Sequence, residues 1–372
     1  MPITAYDATS PTDLNRALAD IEAAMATAPV PLPEETKADT TAADEAAAEA
    51  MPPDFDIPEF SQLIGIRPEV YQQIRAALKS GKRHLMFYGP PGTGKTSLAE
   101  LVAGHLHTSH KMVTGSADWS SQDVIGGYQP TGGGGIRFTK GVLLEHFDQP
   151  LIIDELNRCD IDRVLGPLFT VLSGQPTTLP YLIDPADDTS ERYVILPASK
   201  ADAAPHECAP TANWRLLATI NSIDKASLYQ LSYALTRRFA WILVDTPLDL
   251  HGFVREFCAL KGYVTAEHAG NKPIPLADIW AAVNEVRPMG AAPFIDAMSY
   301  CRAIVPDFDF FAPPTDEMRS IFLGAFQVFV LPMLDGIAHE QARAVASGVA
   351  KATGLAEAAA TELERRLLAL AL

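Results

Sequence analysis

The chain has 372 residues, 48% of them hydrophobic, which is enough for two packed domains and a tail. Its formal net charge is −17, and thirteen acidic against two basic residues fall within the first sixty positions, so no chain-wide attraction for nucleic acid is expected. Cys159, Cys208, Cys258 and Cys301 form no CxxC pair; they suggest neither a zinc site nor a disulfide framework and fit reduced thiols in a cytoplasmic protein.

Taken in chain order, residues 12–27 carry apolar positions at helical spacing behind a cap at Thr12 or Asp13. Residues 28–58 are rich in Ala, Pro, Glu, Asp and Thr and lack the large apolar groups needed to offset ordering entropy, so 1–58 is read as a short helix and an acidic disordered linker. The start shows no basic, then apolar, leader pattern. Order should begin near Phe60. The run from Pro68 to Ser80 predicts a helix, with Pro in its first turn and Gly81 past its end. His84 to Tyr88 is a short apolar run before a Gly-Pro turn, hence a buried strand, and Ser97 to Leu106 is helical. His105, His107 and His110 have the spacing HxHxxH, but i and i+2 diverge on a helix, which is poor geometry for a shared metal. Gly132 to Gly135 make a flexible hairpin tip. Leu151 to Asp154, Arg215 to Ile220 and Ala240 to Val244 read as buried strands of a parallel sheet. Residues 176–212 form a long polar insertion between two of these strands. From about Pro247 the pattern is helical throughout. Within it, Ile321 to Leu334 is apolar but interrupted by Gln327 and Pro332, which favours a buried helix over a membrane span. The expected class is α/β: an αβα core over 59–247 with a five-stranded parallel sheet, then a helical lid and C-terminal helices over 248–372.

Two motifs carry chemistry. Gly89-Pro90-Pro91-Gly92-Thr93-Gly94-Lys95-Thr96 matches GxxxxGK[ST] between a strand and a helix that continues through Ser97. The glycines let successive backbone N–H groups turn toward phosphate oxygens, and the helix aims its N-terminal dipole at the same anion. Lys95 supplies positive charge to the β- and γ-phosphates, and the Thr96 hydroxyl suits Mg²⁺. The second motif is Leu151-Ile152-Ile153-Asp154-Glu155, an apolar strand ending in two acids. Asp154 is placed to hold the metal, and Glu155 to orient and deprotonate an attacking water.

Beyond these motifs, Asp154-Glu155-Leu156-Asn157-Arg158 resembles the DE[IL]NR signature of the MoxR and McrB groups of AAA+ proteins, the dynein-related branch. Asp118 to Pro130 is similar to the helix-2 insertion of that branch, Leu165 to Leu172 to the helix after the acids, and Tyr233 to Phe239 to the YALRRRF stretch of the McrB restriction motor. The resemblance covers roughly residues 62–310. It implies the strand order 5-1-4-3-2, with the site at the carboxyl ends of the strands, and an ATPase that needs ATP and Mg²⁺ as cofactors. It also implies that Asn221 is sensor 1, and that Arg237 or Arg238 reaches into a neighbour's site within a ring, a homo-hexamer. The Gly-Pro-Arg of the usual sensor 2 is absent; Pro288 to Phe294 occupies that region, and Arg287 is the nearest arginine. The output implied is remodelling or activation of a partner protein, as in MoxR relatives. The alternatives are a McrB-like motor subunit of a nuclease-based antiviral system, and a nucleotide-binding switch with little turnover. The client is not legible. No DNA-reading domain and no membrane association are expected of this chain. No NKxD guanine motif appears, although McrB-like motors can prefer GTP.

Overall fold

The computed structural model describes residues 55–200, 202–221, 233–264 and 272–372, all within one compact unit, Ala46–Leu372. The helix and linker expected before residue 55 lie outside the described residues. Order begins earlier than Phe60. Ile57 is fully buried, its carbonyl accepts from the Arg75 guanidinium at 2.7 Å, and the Arg215 guanidinium lies 5.3 Å over the Phe55 ring. These two apolar side chains anchor a stretch that composition alone reads as linker.

Five parallel strands form the central sheet: β1 (His84–Gly89), β2 (Lys111–Thr114), β5 (Leu151–Asp154), β9 (Leu216–Asn221) and β10 (Phe239–Leu243). They stand in the order β10-β1-β9-β5-β2, which is 5-1-4-3-2 when the parallel strands are counted along the chain. In register, His84 pairs with Phe239, Gly89 with Asn221, and Thr114 with Asp154. The three inner strands are buried on both faces, and alternate residues feed two separate cores. Leu85, Phe87, Ile152 and Leu217 pack with helices α1 (Pro68–Lys79) and α2 (Lys95–Leu106) through Tyr71, Ile74, Leu98 and Val102. Met86, Ile153, Ala218 and Ile220 pack on the other side with Val164, Leu165 and Leu168 of α5 (Ile161–Val171). That helix is capped by Asp160, whose carboxylate accepts from the Arg163 N–H.

Two insertions project from this core. The short helix α3 (Ser121–Val124), with a capping box from Ser120 and Asp123, leads into the antiparallel hairpin β3 (Gly126–Pro130) and β4 (Ile136–Lys140), and α4 (Val142–Glu145) follows. Residues 176–212 are not a structureless loop. They build a second small sheet, β6 (Thr177–Leu182), β7 (Arg192–Ile195) and β8 (Glu207–Cys208). Aromatic packing joins the two insertions: Phe138 of the hairpin sits 4.9 Å from Tyr181 and 4.3 Å from Tyr193 between ring centroids. The Tyr128 hydroxyl accepts from Leu182 N at 2.6 Å and lies 3.2 Å from Leu182 O.

After α6 (Tyr233–Thr236) and β10 the chain becomes helical: α7 (Leu250–Leu260), α8 (Pro275–Asn284), α9 (Ala292–Ile304), α10 (Asp316–Ala325), α11 (His339–Thr353) and α12 (Glu357–Leu368). Their core centres on Trp280, which stacks on Phe294 at 4.7 Å and donates its indole N–H to Met289 O. A π-turn, Phe326–Val330, and a 3-10 turn, Leu331–Leu334, continue α10. The whole run Asp316–Leu334 is long and apolar enough to cross a membrane by length and composition. Its Ile321, Phe322, Phe326 and Val330 side chains belong to the core of these C-terminal helices.

Candidate functional site

The phosphate-loop motif follows β1 directly and opens into α2. Gly89 closes the strand against β10: a Cβ there would lie 2.1 Å from Val244 O, so only glycine lets the loop leave the sheet at this point. Lys95 is buried and folds back on its own loop, its ammonium donating to Gly89 O at 3.1 Å and Pro90 O at 2.6 Å. Burial lowers its pKa to about 8, against the pull of Asp154 and Glu155, which favours the charged form.

The loop faces the acids at the end of β5. The Thr96 hydroxyl donates to Asp154 Oδ1 at 2.7 Å, and the Thr219 hydroxyl donates to the same oxygen at 2.6 Å. Thr219 also accepts from the Glu155 N–H at 2.9 Å. Glu155 takes a left-handed conformation, φ 51° and ψ 48°, the one non-glycine residue with positive φ among the described residues. Its carboxylate is held on two sides. Asn221 donates to Oε1 at 3.3 Å, and the exposed Arg158 guanidinium pairs with Oε2 at 2.5 Å. The hydroxyl of Thr96 beside a single carboxylate is a hard-oxygen pair of the kind that binds Mg²⁺ jointly with substrate phosphates, so the residues present fit that ion.

Both groups line one cavity of about 510 Å³ at the carboxyl rim of the sheet. Residues from Pro91 to Ser97, with Asp154, Glu155 and Asn221, are among its lining; Gly89 and Pro90 are not, but are joined to it through the Lys95 ammonium. Sequence reasoning missed Thr219, although a lone hydroxyl inside the apolar run Leu217 to Ile220 was the signal. It also missed the apolar part of the cavity lining, Ile64, Ile66, Phe253, Phe257, Leu260 and Ile295, side chains suited to a flat base. Arg237 and Arg238 are elsewhere. They precede β10, whose first residue pairs with His84 at the opposite rim of the sheet. Arg237 is exposed; Arg238 is half-buried, and its guanidinium meets the Ser173 hydroxyl beyond α5. Arg287 donates to Met333 O at 2.8 Å inside the lid and does not line the cavity. Of the three histidines, His105 packs edge-on to Phe60 and the His107 ring bonds to Ser109.

Residues 84–239 match the AAA domain of the dynein-related subfamily. Among curated proteins, the Holliday junction branch migration complex subunit RuvB of Mycoplasma genitalium is 27% identical over 35% of this chain and 48% of its own length. The ATP-dependent zinc metalloprotease FtsH of Rhodococcus erythropolis is 39% identical over 23% of this chain and 9% of its own. The chain thus spans about half the length of the first of these relatives and far less of the second. Among solved structures, the Thermotoga maritima RuvB Holliday junction branch migration motor aligns at 16% identity and a TM-score of 0.39, covering 82% of this chain and 87% of that one. The parallel sheet and the phosphate loop fall on the same segment as this family match.

Proposed function

We propose that the chain is a ring-forming, cytoplasmic ATPase that hydrolyses ATP with Mg²⁺ and uses the movement of its lid to remodel or activate a partner protein. The observation that carries this reading is the convergence of Lys95, Thr96, Asp154, Glu155 and Asn221 on one cavity, with Arg237 and Arg238 at the opposite rim of the same sheet. In this reading the N–H groups of the loop and the Lys95 ammonium bind the β- and γ-phosphates, the ammonium exchanging its two carbonyl partners for phosphate oxygens. Thr96 and Asp154 would hold Mg²⁺, which when bound would neutralise phosphate charge. Thr219 fixes the Asp154 carboxylate and the Glu155 backbone. Glu155 takes the proton of the attacking water, and Asn221 orients that carboxylate. Arg237, the more exposed of the pair, stabilises the transferring phosphoryl in a neighbouring subunit. It is separated from its own cavity by the length of β1, about 17 Å for five steps of about 3.3 Å. The absence of an NKxD motif for guanine favours ATP over GTP.

Glu155→Gln tests the chemistry. ATP binding is expected to persist while turnover falls at least 100-fold, and wild-type turnover of ATP should exceed that of GTP. A wild-type protein without turnover, or a variant that hydrolyses as fast as wild type, would end this reading. The same variant with ATP serves as a client trap. Capture of a non-nuclease protein supports the remodelling role. The likeness of Tyr233 to Phe239 to the McrB motor favours a second reading, a subunit of a nuclease-based antiviral system, and capture of a nuclease would select it.

A further inference from the structure

Four successive carbonyls of the phosphate loop, from Gly89 to Gly92, each accept a hydrogen bond. The loop serves the first two itself: Lys95 donates to Gly89 O and Pro90 O, and the Thr93 hydroxyl donates to Pro90 O at 3.0 Å. The lid serves the other two from about 200 residues away. Gly290 N donates to Pro91 O at 2.8 Å, and Ala292 N donates to Gly92 O at 3.1 Å. The approach is too close for a side chain. A Cβ at Gly290 would lie 2.1 Å from Gly92 C, 2.2 Å from Gly92 O and 2.3 Å from Thr93 N. On the other side Gly92 has φ 74°, and a Cβ there would lie 3.2 Å from Ala292 Cβ and 3.2 Å from Pro293 Cδ.

A trans peptide is planar, so fixing the direction of its carbonyl fixes its N–H in the opposite direction. The two peptides pinned by the lid are the ones that carry the Gly92 and Thr93 N–H groups, and both residues line the cavity. We propose that the lid backbone at 290–292 is a positioning element of the phosphate loop. Its two amides aim the Gly92 and Thr93 N–H groups at phosphate and tie occupancy of the loop to the position of the lid. This inference rests on the proposed nucleotide site and assigns it a regulator. It explains how a lid without a Gly-Pro-Arg motif, and with Arg287 committed to Met333, still senses nucleotide: the coupling runs through main chain.

Gly290→Ala in the full chain tests it, with ADP as the probe. The Kd for ADP is expected to rise at least tenfold, and the KM for ATP to rise more than kcat falls. Phe322→Leu, which weakens the lid core away from the clasp, should lower the melting temperature and leave the ADP Kd unchanged. Hydrogen exchange on the wild-type protein gives a second measure that does not depend on the variant folding. ADP should slow exchange in the peptide containing Gly290 and Ala292. Wild-type affinity in Gly290→Ala, an equal loss of affinity in Phe322→Leu, or exchange there unaffected by ADP would overturn the inference. A wild-type protein that binds no ADP would instead sink the proposed function.

Discussion

Lys95 is held where its charge depends on pH in the working range. Burial lowers its pKa to about 8, so the ammonium is intact below that pH and progressively lost above it. For a base with a depressed folded-state pKa, the unfolded chain binds the proton more tightly. The cost to folding is therefore present below about pH 8 and eases as pH rises toward the ordinary lysine value. Nucleotide affinity runs the other way: a polyphosphate needs the ammonium, so ADP should bind more weakly at pH 9 than at pH 7 and take up a proton at the higher pH. Calorimetry in two buffers of different ionisation enthalpy checks this, and equal affinities at both pH values would count against it. Glu155 makes a second case. Its left-handed backbone costs about 1–2 kcal/mol, more than its ion pair with an exposed arginine returns. Glu155→Gly is expected to lose turnover yet remain at least as stable in denaturant; a loss of stability above about 1 kcal/mol would refute this account. Both residues announce themselves in the sequence, because a phosphate loop and a strand-terminal acid pair are runs of neighbours. Thr219 shows only as a lone hydroxyl in an apolar run, and its partner Asp154 lies 65 positions away, so the run does not reveal what it orders.

At the scale of elements, the inner strands were legible because burial on both faces leaves continuous apolar runs, and helix α1 because Pro68 and Gly81 mark its ends. Strand β2 was not. Lys111-Met112-Val113-Thr114 lies at the sheet edge and is largely exposed, so only its pairing with β5 identifies it. The small sheet β6–β8 was hidden for a related reason: its strands are short, half-exposed and, in β6, interrupted by Pro180. It is held by Leu179, Ile195 and Cys208, which join the core on the α5 side of the central sheet, and by contact with the other insertion through Phe138, Tyr181 and Tyr193, none of which a local pattern reports. Tyr128→Phe removes the bridge to Leu182 and leaves a backbone N–H without that partner. The expected loss is about 1–2 kcal/mol, seen as faster hydrogen exchange across β6 and its partner β7. Unchanged exchange would mean that packing, through the aromatic contacts and the buried Leu179 and Ile195, holds the insertions without this bridge.

For the whole molecule, the fold class and strand order followed from the motifs and the resemblance they carry, whereas the lid clasp was not legible, since a backbone-to-backbone contact leaves no side-chain signature. The parallel sheet gives the protein two chemically different rims, acids and phosphate loop at one and the arginine pair at the other. If the arginines act across subunits, Arg237→Ala combined with Arg238→Ala should abolish turnover, and so should Lys95→Ala. Mixing the two inactive proteins should then restore measurable activity, because each supplies the rim the other lacks. A mixture as dead as its components would place the arginines outside the chemistry. The polarity of the strands also sets a dose response. In the proposed ring each subunit would contribute one half of a catalyst on either flank, so specific activity should not be constant on dilution. It should drop steeply below the concentration at which subunits meet, while nucleotide occupancy, a matter for one rim alone, declines far less.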